Sequence, residues 1–98
     1  MEITYKSKKL QKICTNAKTA EKEYGVRMSE LIHQRIDQIQ AADSVELLIR
    51  FRIGRCHLLK SDRHGQYAMD LVHPYRLVFE KHGDEIQIAH ILEIVDYH

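Results

Sequence analysis

The spacing of apolar residues changes once along the chain, near Gly54, and this change constrains the fold more than any other feature. Before Gly54, apolar residues recur every three or four positions, as on one face of an amphipathic helix. After it, apolar and polar residues alternate, as in strands that bury one face. This order predicts one α+β domain, residues 1–98, in which two or three helices pack on one face of a small, twisted antiparallel sheet.

The first half is predicted to contain a short strand, Ile3 to Tyr5, and then the helices. The first helix is expected to stop at Gly25. A third, short helix follows "DSVE", where Asp43 and Glu46 have the spacing of a capping box. The apolar stripes predicted for the first two helices are Leu10, Ile13, Cys14 and Ala17, and then Met28, Leu31, Ile32, Ile36 and Ile39.

The second half is predicted to form strands. The segments are "CHLLK", "QYAMDLV", "YRLVFEK" and "IQIAHILEIV". "HP" at His73 and Pro74 is a predicted turn, because proline cannot donate to a central ladder. "HGDE" is predicted to close the last hairpin. One face of the two middle strands is expected to carry Tyr67, Met69 and Leu71, and then Tyr75, Leu77 and Phe79.

Composition excludes several classes of protein. No apolar run approaches the ~18 residues of a membrane span, and the opening lacks a signal peptide's apolar stretch, so we expect a soluble, cytoplasmic protein. Cys14 and Cys56 have no zinc-like spacing and are expected to be buried thiols.

Charge is unevenly distributed along the chain. Residues 1–63 hold 13 basic against 8 acidic residues, and residues 64–98 hold 2 against 6. The first two thirds can therefore carry a basic face, although the net charge is only +1.

Cationic and imidazole side chains are concentrated in the predicted strands and at the end of the chain. The candidate site residues are His57, Lys60, Arg63, Arg76, Asp96, Tyr97 and His98. If the strands pair as hairpins, these groups converge at one edge of the sheet. Fixed positive charge stabilises the extra charge of a phosphodiester transition state, and histidine transfers protons near neutral pH. RNA supplies its own 2′-hydroxyl nucleophile, so such a site needs no metal or other cofactor.

Three motifs in this part of the chain resemble a known family. They are "HLLKSDRHGQY" (57–67), "YRLVFEKHGD" (75–84) and the terminal "EIVDYH". Together they are similar to the RelE/ParE superfamily of bacterial toxins, in particular its HigB-type branch, the plasmid maintenance killer proteins. The helical half agrees with that family in the order and length of its elements.

The resemblance implies the toxin of a type II toxin–antitoxin system that enters the A site of the small ribosomal subunit and cleaves mRNA there. It also implies a helix-turn-helix antitoxin as partner, through which alone the toxin meets operator DNA. Two alternatives stay open: a ParE-like toxin that binds DNA gyrase and cuts nothing, and a catalytically silent binding module of the same fold.

Carried over to this sequence, the resemblance implies the catalytic positions His57, Lys60, Arg76, Asp96, Tyr97 and His98. Arg76 and Lys60 would hold the scissile phosphate, with Arg63 as a further phosphate contact, and Tyr97 would stack on a base.

The same resemblance assigns proton transfer to two histidines. His98 and His57 are the acid and base candidates, in an order left open, and Asp96 would orient one of them. The histidines without a family match are interpreted as surface or strand residues; they are His64, His73, His82 and His90.

Overall fold

The computed structural model describes residues 1–97, apart from the side chain of Ser61; His98 lies outside the described residues. Two short 3₁₀ turns, Ile53–Arg55 and Ser61–Arg63, flank the second strand. The helices and strands are β1 (Glu2–Tyr5), α1 (Lys8–Thr15), α2 (Ala17–Tyr24), α3 (Val26–Ala41), α4 (Val45–Arg50), β2 (His57–Leu58), β3 (Gln66–Asp70), β4 (Tyr75–His82) and β5 (Ile88–Asp96). No helix among these is long and apolar enough to span a bilayer.

The strands form one sheet in the order β1-β5-β4-β3-β2. β2 to β5 pair antiparallel, which confirms the predicted α+β fold, but β1 pairs parallel to β5, so the sheet is mixed. Parallel strands need a long crossover, and here the helices lie within it. Three predicted strands extended too far: β2 has two residues, β3 ends at Asp70, and β5 begins at Ile88 rather than at the exposed Ile86.

The predicted first helix is two helices. Asn16 has extended backbone angles (φ −128°, ψ 112°), and its side-chain oxygen accepts a hydrogen bond from the backbone N–H of Thr19 at 3.1 Å. Asn16 thus ends α1 and caps α2, because its short polar side chain competes with continued helix. As a result Ala17 is exposed and Ala20 is buried instead. The predicted stop at Gly25 is confirmed, with φ of 91°.

The cap of α4 also differs from its prediction. Ser44, rather than Asp43, is the N-cap, and its hydroxyl accepts a hydrogen bond from the N–H of Leu47 at 3.2 Å. The buried N–H of Val45 donates to the side-chain oxygen of Gln87 at 2.9 Å. Two donors of the first turn are therefore satisfied by side chains, one of them from the β4–β5 connection.

The two faces of the sheet have different surroundings. The inner face packs on the helices, and its buried residues include Met69, Leu77, Phe79, Ala89 and Ile91. The outer face, away from the helices, carries a smaller apolar cluster that consists of Leu59, Ala68 and Val78 with Leu92, Val95 and Tyr97 packed against it. This outer face is the surface on which most of the candidate site lies.

Both cysteines are free and buried, as predicted. Burial raises the pKa of Cys14 and of Cys56 to about 12. Both thiols are therefore protonated at neutral pH and unsuited to nucleophilic chemistry.

Replacing the observed and the predicted cap of α4 separates the two assignments. Ser44→Ala should lower the free energy of unfolding by about 1 kcal/mol, since it removes the acceptor for one N–H of the first turn. Asp43→Ala should change it little. Urea denaturation of the two variants measures the difference, and equal losses would contradict the assignment of Ser44.

Candidate functional site

A bulge in β5 decides which terminal side chains reach the outer face. Val78 pairs with Glu93 and the next residue, Phe79, pairs with Ile91, so Leu92 is an extra residue in β5. A bulge of this kind reverses the alternation of side chains beyond it. Without it, residues 95 and 97 would face the helices.

Because of this reversal, Tyr97 and Asp96 lie on opposite sides of the sheet. Val95 pairs with Arg76 on the outer face, where Tyr97 also packs. Asp96 pairs with Tyr75, whose side chain packs on the inner core. Strand pairing holds the chain through Asp96, and the backbone N–H of Tyr97 bonds Pro74, but the side chains of these two predicted site residues do not lie on one side of the sheet; His98 lies outside the described residues.

The ring of Tyr97 lies beside two guanidinium groups. The Arg76 guanidinium carbon is 4.8 Å from the ring centroid, and that of Arg63 is 5.7 Å from it. Both distances are within the range of cation–π attraction. The N–H of Tyr97 donates to the carbonyl of Pro74 at 3.0 Å, which ties the ring to the β3–β4 turn. The structure therefore brings together three of the predicted site residues.

Arg63 is held by a carboxylate that the sequence analysis missed. Its Nη1 lies 2.8 Å from Oε1 of Glu93, and this carboxylate raises the pKa of Arg63. Glu93 reaches the outer face because of the bulge, so the alternation predicted from sequence would have placed it on the inner face. Arg63 itself lies in the 3₁₀ turn after β2, and its side chain contacts Glu93 on β5 and the ring of Tyr97.

A second missed carboxylate, Asp70, contacts two more arginines. Its Oδ2 is 2.5 Å from Nε of Arg55, and its Oδ1 is 3.7 Å from Nε of Arg76. Asp70 and Arg76 are direct cross-strand partners on the outer face, so the alternation of β3 and β4 contained the signal for this pair. Arg55 lies in a 3₁₀ turn outside any alternating segment, so the sequence pattern did not indicate its contact with Asp70. These three residues and Tyr97 line a pocket of about 60 Å³.

The backbone of Asp70 is fixed from the helical layer. Nε of Arg35, on α3, donates to the Asp70 carbonyl at 2.7 Å, and Nη1 donates to Gln38 at 3.1 Å. Burial lowers the pKa of Arg35, and the charge of Asp70 opposes that shift. Arg35 also packs against Gly54, where a Cβ atom would lie 2.6 Å from its Nε. The helices thus position the end of β3 through one arginine.

His57 contacts this group only through the backbone of Arg55, and Lys60 lies in the loop that follows β2. His57 pairs with Ala68, which places its side chain on the outer face. Its Nδ1 lies 2.8 Å from the carbonyl oxygen of Arg55, so Nδ1 carries the proton and Nε2 of the neutral ring is a free base. Lys60 is exposed in the following loop. Within residues 1–97, no hydrogen bond or ion pair joins either side chain to Arg76.

The four histidines that were interpreted as surface or strand residues lie at such positions. His64 and His73 are exposed in turns. His82 and His90 stack at 5.2 Å on β4 and β5, and they bond Glu80 and Thr4. In the described part of the chain, no three His, Cys, Asp or Glu side chains are grouped to hold a metal ion.

Two glycines of similar backbone conformation test the link between Arg35 and the Gly54 turn. Gly54→Ala and Gly65→Ala both place a Cβ at positive φ, 58° and 82°, but only the first meets a side chain. We expect Gly65→Ala to lower the free energy of unfolding by about 1 kcal/mol and Gly54→Ala to lower it more, because Arg35 is hydrogen-bonded and cannot move freely. Equal losses in thermal or urea unfolding would show that Arg35 does not restrain the turn.

No protein-family model and no curated protein matches this sequence significantly. Solved structures do match it over the whole chain. It is similar to a YoeB/ParE toxin from Agrobacterium tumefaciens, with 15% identity and a TM-score of 0.68 over all of that chain. It is also similar to a YoeB–YefM complex from Staphylococcus aureus, with 21% identity and a TM-score of 0.64 over 97% of that chain. The HigB-type assignment stays a prediction, but the chain has the RelE/ParE-like fold of these toxins.

Proposed function

We propose that this protein is the toxin of a type II toxin–antitoxin pair and an endonuclease that cleaves mRNA on the ribosome, as in the HigB-type branch. The observation that carries the proposal is the group on the outer face in which Tyr97 lies beside Arg76 and Arg63. The shared fold supports the toxin class, and one of the similar structures is a YoeB–YefM complex, which supports an antitoxin partner.

The outer face supplies what binding of single-stranded RNA requires. A guanidinium offers several N–H donors to a phosphate in a fixed planar geometry, and an aromatic ring stacks on an unpaired base. Arg76 is assigned to the scissile phosphate and Tyr97 to a neighbouring base. Lys60 and Arg63 are assigned to further phosphate contacts, because both extend from the loop beside this group.

The proposed reaction uses the RNA's own 2′-oxygen. The base takes the 2′-hydroxyl proton, the 2′-oxygen bonds to the adjacent phosphorus, and the bond from phosphorus to the 5′-oxygen breaks. An acid protonates the departing 5′-oxygen, which leaves a 2′,3′-cyclic phosphate and a 5′-hydroxyl. We assign the base to Nε2 of His57, whose Nδ1 is committed to the Arg55 carbonyl. The acid is assigned to His98, whereas Asp96, whose side chain lies on the opposite side of the sheet from Tyr97, is given no role in this step.

Docking on the ribosome is assigned to the basic side chains of the first helices. Lys6, Lys8, Lys9, Lys12 and Lys18 are all exposed there. Lys9 lies 3.8 Å from Glu23, an exposed pair that contributes little energy in water. These side chains are therefore available to the phosphates of ribosomal RNA.

Arg76→Ala should reduce cleavage about 10²- to 10³-fold, by analogy with the loss of one transition-state donor. The assay is cleavage of a defined mRNA in a reconstituted translation system. Arg27→Ala, which removes an exposed arginine that pairs with Glu30 on α3, is the matched control and should cleave at the wild-type rate. A folded Arg76→Ala protein with wild-type activity would remove Arg76 from the site. A wild-type protein that leaves mRNA intact would overturn the proposed function and favour the gyrase-binding alternative.

Ribosome binding should weaken steeply as salt rises, because each neutralised RNA phosphate releases a counterion. Sedimentation of the protein with ribosomes at several salt concentrations measures this slope. Replacing Lys8 and Lys12 with glutamine should make the slope shallower while the fold is kept. Binding that does not change between low and physiological salt would contradict the assignment of the lysines.

A further inference from the structure

Asp70 contacts the guanidinium groups of both Arg55 and Arg76, and two solvent-accessible ion pairs that contribute little to stability do not explain why these three residues lie together. Resting on the proposed function, we infer that Arg55 is a second phosphate-binding residue, and that Asp70 positions Arg55 and Arg76 as a pair around one backbone phosphate of single-stranded RNA. Asp70 touches neither the RNA nor the reacting atoms in this account. It acts through the two arginines.

In both ion pairs the nitrogen nearest to Asp70 is Nε, which leaves the Nη groups of both arginines for another acceptor. Both arginines approach Asp70 through Nε, at 2.5 Å from Arg55 and 3.7 Å from Arg76. A guanidinium held at Nε keeps its two Nη groups for a second acceptor. Within residues 1–97, neither Nη pair forms a hydrogen bond with a protein group. Two sets of donors on one carboxylate therefore remain open to an anion at the same place.

The exposure and backbone of Arg55 supply the second step. Its side chain is 69% exposed, and an ion pair this exposed typically contributes little to stability. Its φ is 52°, a left-handed conformation that is strained for a non-glycine residue. Strained non-glycine residues of this kind concentrate at functional sites, and here the strained residue carries the guanidinium that contacts Asp70.

The surroundings of Asp70 supply the third step, because a positioning residue must itself be fixed. Its backbone carbonyl accepts a hydrogen bond from Arg35, and it pairs across the ladder with Arg76. Neither contact uses the Asp70 carboxylate. Asp70→Asn therefore keeps the backbone contacts and changes only the group that holds the two arginines.

The variant Asp70→Asn distinguishes a positioning role from a purely electrostatic one, because the two roles predict opposite changes in RNA affinity. If only net charge matters, removal of an anion beside a phosphate site strengthens RNA binding. If Asp70 positions the arginines, binding weakens, by on the order of tenfold for the loss of a charge-assisted hydrogen bond. The probe is a fluorescent, 2′-O-methylated single-stranded RNA that cannot be cleaved, and fluorescence anisotropy at fixed salt measures its affinity for the folded full chain.

Two variants of Arg55 complete the test, with Arg27→Ala as the unchanged control. Arg55→Ala should weaken binding about tenfold and reduce the salt slope by about 0.7, the value for one phosphate contact on a single strand. Arg55→Lys should bind the RNA as weakly as Arg55→Ala, since one ammonium group cannot hold Asp70 and also offer a separate pair of donors to a phosphate. In the ribosome assay, Asp70→Asn should lower kcat/KM in proportion to the loss in RNA affinity.

The inference is overturned if Asp70→Asn binds the RNA as tightly as the wild type or more tightly. It is equally overturned if Arg55→Lys binds like the wild type, or if the wild-type protein does not bind the RNA at all. Failure of the proposed function is a different result, in which the wild-type protein binds the RNA probe but leaves mRNA on ribosomes intact.

Discussion

The pairing of β4 with β5, interrupted by one bulge, is the constraint on which the candidate site depends. The ladder carries Arg76 on one strand and ends at Asp96 on the other, so it brings the end of the chain beside the middle of the sheet. The extra residue, Leu92, reverses the side-chain alternation and turns Tyr97 and Glu93 towards the outer face. Because of this one inserted residue, the ring of Tyr97, rather than the carboxylate of Asp96, lies against the guanidinium of Arg76.

The helical layer contributes to this site indirectly, through Arg35. That side chain crosses from α3 to the end of β3, where it binds the carbonyl of Asp70 and packs on Gly54. Asp70 in turn contacts Arg55 and Arg76. A partly buried arginine that satisfies a backbone carbonyl thus couples the packing of the helices to the geometry of exposed cations.

The sequence was sufficient for the fold class because its two apolar periods are strong and separate. The α3 stripe and the inner faces of β3 and β4 form as the spacing predicts. Local competition was harder to foresee: Asn16 divides a helix by capping the next one, and Ser44 outcompetes Asp43 as a cap. For the site, Arg76 and Tyr97 were identified together, but the bulge and the left-handed turn before β2 leave no periodic signal. Glu93 and Arg55 were missed for that reason, and the position of Asp96 on the opposite side of the sheet from Tyr97 was not predicted.

The chemistry proposed for the outer face leaves a distinctive product. Attack by the 2′-oxygen must generate a fragment with a 2′,3′-cyclic phosphate and a partner with a 5′-hydroxyl, and ribosome dependence requires that naked mRNA stay intact. End-group analysis of an mRNA incubated with the wild-type protein, with and without ribosomes, tests this directly. The account predicts those two termini and only when ribosomes are present. Intact mRNA in both reactions, or fragments with 3′-hydroxyl and 5′-phosphate ends, would contradict it.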